Sequence, residues 1–104
     1  LKGANIFNYF CRMQGIISRK ITVRGRVQGV FYRKHAQQKA IELEVSGTVQ
    51  NLKDGSVVVY VTGDEKHVME FVKWCRVGSP LSHVDEMVTE EMDVKTFDGF
   101  KILK

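Results

Sequence analysis

Near the middle of the chain, the pair Asp54–Gly55 stands between two apolar runs, Val45–Asn51 and Ser56–Val61. Asp and Gly tolerate the backbone conformations that tight hairpins need, so Lys53–Asp54–Gly55 reads as the turn of an antiparallel hairpin. A two-stranded hairpin cannot bury its apolar face alone and must recruit its neighbours. Upstream, Ile21, Val23 and Gly25 alternate with Thr22 and Arg24, the pattern of a half-buried strand. Tyr32, Ala36, Ala40 and Leu43 then recur at spacings of four, four and three, an amphipathic helix. Downstream, Val68, Phe71, Val72 and Cys75 fall at i, i+3, i+4 and i+7, the clearest helical stripe in the sequence. Asp64 is its expected N-cap, and Gly78 with Pro80 its stop. Val84, Met87 and Thr89 suggest a bulged strand within Ser82–Met92, and Asp98–Gly99 turns into a short last strand.

The order β-α-β-β-α-β plus a terminal strand implies an α+β protein. It is a ferredoxin-like sandwich, with two helices on one face of a mostly antiparallel sheet. A chain of 104 residues allows one domain and one core. Residues 1–12, aromatic-rich and without helical patterning, read as an N-terminal extension outside the fold; Phe7, Tyr9 and Cys11 alternate as an edge strand would. Met13 is the expected natural start, which leaves 13–104 as the single domain.

Composition narrows the partners only a little. The net charge of +4 favours anions in general, but residues 1–12 supply two of those cations and no acid. Cys11 and Cys75 lie far apart with no histidine cluster around them, which argues against a zinc site and for free thiols, Cys75 in the core. No apolar run is long enough to span a membrane, and no signal-peptide layout is present. A soluble, cytoplasmic monomer is expected.

The candidate site lies at Gly25–His35, GRVQGVFYRKH. No Ser, Thr, Asp or Asn stands before the helix to cap it. Its first N–H groups, which carry the positive end of the helix dipole, therefore lack a side-chain partner. Of the preceding Val27, Gln28 and Gly29, only Gln28 could reach one of them. Gly25 and Gly29 permit turn conformations and the close approach of an anion. A strand, a glycine-containing loop and a helix N-terminus form a phosphate cradle in principle. With the helix starting near Val30, Arg33 sits about one turn in and leans back toward the cradle, its fork matched to two phosphate oxygens. The alternative for Arg33 is a solvated surface charge, and Arg26 is expected to face solvent. The spacing is not that of a nucleotide P-loop, since three residues separate the glycines and no Lys-Ser/Thr follows. Asn51 is either a turn former or, if the fold brings it beside the cradle, part of the site.

Two stretches resemble the acylphosphatase family. Val23–Arg33, VRGRVQGVFYR, is similar to its phosphate-loop signature, with Tyr32 in place of the usual Phe. Gly47–Gly63, GTVQNLKDGSVVVYVTG, follows the second signature at Gly47, Val49, Asn51, Gly55, Val57 and Gly63, and departs at Thr48, where an aromatic is usual. Gly78–Pro80 also fits, so the resemblance covers roughly residues 16–104. It implies hydrolysis of acyl phosphates. Arg33 and the amides of Val27, Gln28, Gly29, Val30 and Phe31 would bind the phosphate, and Asn51 would orient the attacking water. No carboxylate cluster of metal-ligand type flanks the loop, so no metal is expected, and no cofactor. Thr48 raises a question about the packing beside Asn51, and the Tyr32 hydroxyl needs a partner.

His35, His67 and His83 are expected on the surface, His83 in the loop after Pro80, and Trp74 and the methionines in the core or at its edge. The rival readings are weaker. An RNA-recognition module would stack bases on aromatics of the first and third strands, where only Tyr60 is available, so no nucleic-acid partner is expected. A carbamoyl-phosphate-binding relative of larger carbamoyl-transfer proteins and a catalytically silent anion binder are the others.

Overall fold

The computed structural model describes residues 3–104, with side chains from Ile6 onward. Its elements are α1 (Gly3–Met13), β1 (Ile16–Arg26), α2 (Tyr32–Glu42), β2 (Ser46–Asn51), β3 (Val57–Asp64), α3 (Glu65–Val77), β4 (His83–Met92) and β5 (Phe100–Leu103). The five strands form one sheet in the order β4-β1-β3-β2-β5. All neighbours are antiparallel except β2 and β5. This is the ferredoxin-like arrangement expected, with a fifth strand added at the β2 edge.

Alternation along the strands sorts the two faces of the sheet. Ile21, Val23, Val49, Val57, Val59, Val61 and Phe100 turn to one face and are buried there against Ala36 and Ala40 of α2 and Val68, Phe71 and Cys75 of α3. The small alanines let α2 lie close to the sheet. Each fully buried Val, Ile or Phe is worth about 1.5–3 kcal/mol relative to exposure. Asp64 caps α3 by accepting the His67 N–H at 3.1 Å, and Gly78 ends the helix.

On the opposite face, a crossover from β4 to β5 lies over the central strands. The Ser18 and Thr62 hydroxyls hydrogen-bond each other in the interior; the Thr62 hydroxyl also reaches the Lys95 carbonyl at 2.6 Å, and the Lys95 N–H donates to Ser18 at 3.1 Å. Lys95 Nζ lies 5.9 Å from the Tyr60 ring centroid.

Three expectations need correction. Gly3–Met13 is a helix, neither unpatterned nor a strand. Ile6, Phe10 and Met13 fall at helical spacing, a pattern masked by the alternation of Phe7, Tyr9 and Cys11. Asn8 Oδ1 accepts the Val94 N–H at 2.8 Å, so α1 touches the crossover; residues 1–2 lie outside the described part of the chain. Met13 and Met69 are exposed, unlike half-buried Met87 and Met92. His83 is the first residue of β4, not part of the preceding loop.

The bulge expected in β4 is present. Gly25 pairs with Val84 and Arg24 with Glu86, so Asp85 has no partner across the ladder. Gly25 has φ of 127°, and a Cβ there would run into the His83 carbonyl and lie 2.8 Å from the Asp85 nitrogen. Gly25 thus serves the approach of β4 to β1. Gly25→Ala should cost at least about 2 kcal/mol, read as a fall in the urea midpoint, because the obstructing atoms are backbone.

The hairpin turn is fixed by Asp54. Its carboxylate accepts from the Ser56 N–H at 2.9 Å and the Ser56 hydroxyl at 2.5 Å, and pairs with Arg24 at 2.9 Å. These Ser56 hydrogen bonds, with help from Arg24, hold the carboxyl well below the usual aspartate range. A depressed folded-state pKa stabilises above the unfolded value of 3.8 and loses that effect as pH falls through the folded value. Asp54→Asn should therefore lower Tm at pH 7, and the gap from wild type should close on acidification below pH 3.8.

Candidate functional site

Five residues, 27–31, carry the chain from the end of β1 to the start of α2. Val27 is buried and plugs the loop into the core, and Val30 packs against the core's edge. Between and after them the backbone turns left-handed twice, at Gly29 with φ of 74° and at Phe31 with φ of 64°. A Cβ on Gly29 would meet nothing within 4 Å, so its side is open.

Phe31 occupies the N-cap position, and no side chain caps the helix. Its carbonyl accepts the first helical bond, from the His35 N–H at 3.1 Å. The helix thus begins at Tyr32 and not near Val30, and Arg33 is its second residue. The shift follows from the left-handed Phe31, which no helical residue can share.

The start of α2 faces a cleft of about 280 Å³. Val27, Gly29, Phe31, Arg33 and Asn51, all singled out from the sequence, line it together with Tyr32, Lys34 and Ile102. Two other expected residues, Gln28 and Val30, do not. The Gln28 amide instead donates to the Leu52 and Ser56 carbonyls, at 2.7 and 2.8 Å, and staples the loop to the β2–β3 hairpin. Val30 turns inward, and its carbonyl accepts the Ser79 hydroxyl at 2.7 Å.

Asn51 reaches the cleft because β2 alternates. It shares a face with buried Val49, two residues earlier, and that face lies under α2. Its Oδ1 is buried and accepts no hydrogen bond from any described residue. A buried amide oxygen without a partner is expensive, about 1–3 kcal/mol, and marks a position held for another purpose. Thr48 sits three residues before Asn51 and therefore on the other face, opposite Tyr60 in the ladder. Its departure from an aromatic does not touch the packing of Asn51.

Arg33 is half-buried, and its Nη1 donates to the Leu103 carbonyl at 3.1 Å. That bond uses one of five donors and leaves the rest of the fork for the cleft. Lys34 and Ile102 were not singled out from the sequence. Lys34 had a signal, as a second cation in the first turn; Ile102 reaches the cleft only through the parallel pairing of β5 with β2. Arg26 is exposed at the end of β1.

Among the described residues, no Asp, Glu or His lines the cleft, and no group of three or more His, Cys, Asp or Glu side chains converges to hold a metal ion. His67 Nδ1 pairs with Asp64 at 2.7 Å and His83 Nε2 with Asp85 at 3.1 Å, both away from it. The Tyr32 hydroxyl donates to the Cys75 carbonyl at 2.6 Å, and burial holds it far above the ordinary tyrosine range. Burial likewise pushes the Cys75 thiol up to about 12, which disfavours the reactive thiolate.

The sequence model of the acylphosphatase family matches residues 19–102. The chain belongs to the acylphosphatase family. An acylphosphatase of Methylococcus capsulatus is 44% identical over 85 residues, covering 81% of this chain and 92% of that protein. Among solved structures, an acylphosphatase from Coxiella burnetii superposes with a TM-score of 0.83 at 32% identity, over 88% of this chain and 96% of its own. The acylphosphatase from Bacillus subtilis gives 0.82 at 32% identity, over 85% and 99%. The matched region spans the loop, the hairpin and the cleft of this acylphosphatase-family chain; α1 lies before it.

Tyr32→Phe should destabilise by about 1 kcal/mol, the net worth of one buried hydrogen bond. Chemical denaturation of the two proteins would measure it.

Proposed function

We propose that the chain is an acylphosphatase that hydrolyses the carboxyl–phosphate bond of acyl phosphates, with Arg33 and the loop amides binding the phosphate and Asn51 placing the water. One observation carries the reading. Arg33, the uncapped start of α2 and Asn51, whose buried Oδ1 has no partner among the described residues, line the same cleft.

Two left-handed residues in a run of three bend the loop so that successive N–H groups form a concavity suited to an anion. The dipole of α2 adds its positive end. Gln28 and Val30 enter through their amides, since their side chains are engaged elsewhere. The Arg33 fork binds two phosphate oxygens, and Lys34 raises the positive potential at the rim.

Asn51 Oδ1 accepts a hydrogen bond from the water, which leaves the water's own lone pair aimed at phosphorus. As the water's oxygen bonds to phosphorus, the bond from phosphorus to the acyl oxygen breaks in line. The leaving carboxylate has a conjugate acid of pKa roughly 4, so it departs without a general acid. The water's proton passes to a phosphate oxygen, and inorganic phosphate and the carboxylate leave. Charge on the equatorial oxygens is stabilised throughout by donors already in place. No metal takes part. The catalytic unit is residues 13–104, monomeric and, given two unpaired cysteines, suited to the cytoplasm.

The nucleic-acid reading is disfavoured by the crossover over the central strands. Tyr60 lies beneath Lys95 there, on the face that RNA-recognition modules leave open.

Benzoyl phosphate hydrolysis in excess chelator tests the proposal. Wild type should turn over at full rate. Asn51→Ala should lose roughly 100-fold or more in kcat while still binding inorganic phosphate. Arg33→Gln should lose both rate and phosphate binding by a similar factor. A wild type that binds phosphate without hydrolysing benzoyl phosphate would overturn the enzymatic reading, and one that binds nothing would overturn the cradle as well.

A further inference from the structure

We propose that Ser79, outside the cleft, is a positioning residue for the phosphate site, a role that rests on the reading of residues 27–31 as the phosphate cradle. Ser79 follows the Gly78 cap of α3, and only 3% of its surface is exposed. Its hydroxyl donates to the Val30 carbonyl at 2.7 Å, across 49 residues of sequence. Its own carbonyl accepts from both the Ser82 hydroxyl at 2.7 Å and the Ser82 N–H at 3.0 Å. The donor is therefore fixed by a turn before it meets the loop.

The Val30–Phe31 peptide is trans. Its carbonyl and the Phe31 N–H point in opposite directions. With the carbonyl held on the buried side by Ser79, the Phe31 N–H is turned to the other side, where Phe31 lines the cleft. On the far side of Phe31, the Tyr32 hydroxyl is tied to the Cys75 carbonyl of the same helix end. Phe31 is thus clamped from both neighbours to the end of α3. Its left-handed conformation persists because the surroundings over-determine it. Without the Ser79 hydroxyl, the peptide is free to rotate, and the amide no longer aims at the phosphate. The water held by Asn51, on β2, does not depend on this bond.

The test compares wild type with Ser79→Ala in benzoyl phosphate kinetics and in titration by inorganic phosphate, followed at the Phe31 amide by NMR. We expect KM and the phosphate Kd to rise together by about tenfold, the scale of one lost hydrogen bond. kcat should change by less than about threefold. The phosphate-induced shift of the Phe31 amide should shrink. If Ser79→Ala does not fold, Ser79→Cys replaces it, keeping the volume with a much weaker donor. A folded variant with wild-type KM, Kd and amide shift, changed only in Tm, would overturn the positioning role and leave the cradle standing. A wild-type protein whose Phe31 amide ignores phosphate would overturn both.

Discussion

The site depends on holding an L-residue with a bulky side chain in a left-handed conformation. Phe31 at φ of 64° sits about 1–2 kcal/mol above a right-handed residue. The residue is 64% exposed and recovers little of that cost by burial. The conformation survives because Val27 and Val30 are packed into the core before it and Tyr32 after it. The core is thus built around the loop as much as around the sheet. A right-handed Phe31 would extend α2 backward by a residue and re-aim the peptide on either side of it. Left-handed, it leaves α2 uncapped and its first donors turned outward.

Charge completes what the backbone starts. The lining of the cleft carries Arg33 and Lys34 but no carboxylate. Asp54, three residues from Asn51, is engaged with Ser56 and Arg24. An anion entering the cleft meets cations, amide donors and one unpartnered amide oxygen. In the function proposed, such a surface would bind a phosphoryl group and orient water without an Asp, Glu or His in its lining to shuttle protons. A substrate whose leaving group needs no proton would suit it, and a carboxyl–phosphate bond meets that condition where an ordinary phosphate ester would not.

The order of elements was legible because each is marked by periodicity or a turn dipeptide. The stripe through Val68, Phe71, Val72 and Cys75, the turn at Asp54–Gly55 and the Asp64 cap are local signals that the core reinforces. The cleft residues were legible only in part. Arg33 and Asn51 stood out, and the family resemblance joined them across the hairpin. Their meeting in space rests on β2 lying under α2, which periodicity alone does not report. The start of α2 was misplaced because Tyr32, Ala36 and Ala40 give its phase, not its first residue. Nothing local in VQGVF announces a left-handed phenylalanine. Gly25 looked like part of the anion loop, yet its missing Cβ makes room for the His83 carbonyl, a contact 58 residues away in sequence. Gln28 looked like a poor helix cap, and its amide proves to bind two hairpin carbonyls.

The two departures from the family pattern have separate physical explanations. Thr48 is harmless to Asn51 because an odd separation in a strand puts the two on opposite faces. Tyr32 is a different case, since a hydroxyl added in the core must find a partner or destabilise it. Cys75 lies two residues before the last residue of α3, so its carbonyl is among the final four that lack a partner within the helix. The Trp74 carbonyl before it is taken by the Gly78 N–H at 2.8 Å. The Tyr32 hydroxyl meets the next one, at 2.6 Å. One bond satisfies a buried donor and an orphan acceptor together, where phenylalanine would leave the carbonyl to find another donor. The same bond ties the first turn of α2 to the end of α3, beside the place where Ser79 ties Val30. The substitution that breaks the family pattern thereby adds a second tie, beside that of Ser79, between the end of α3 and the loop that enters α2.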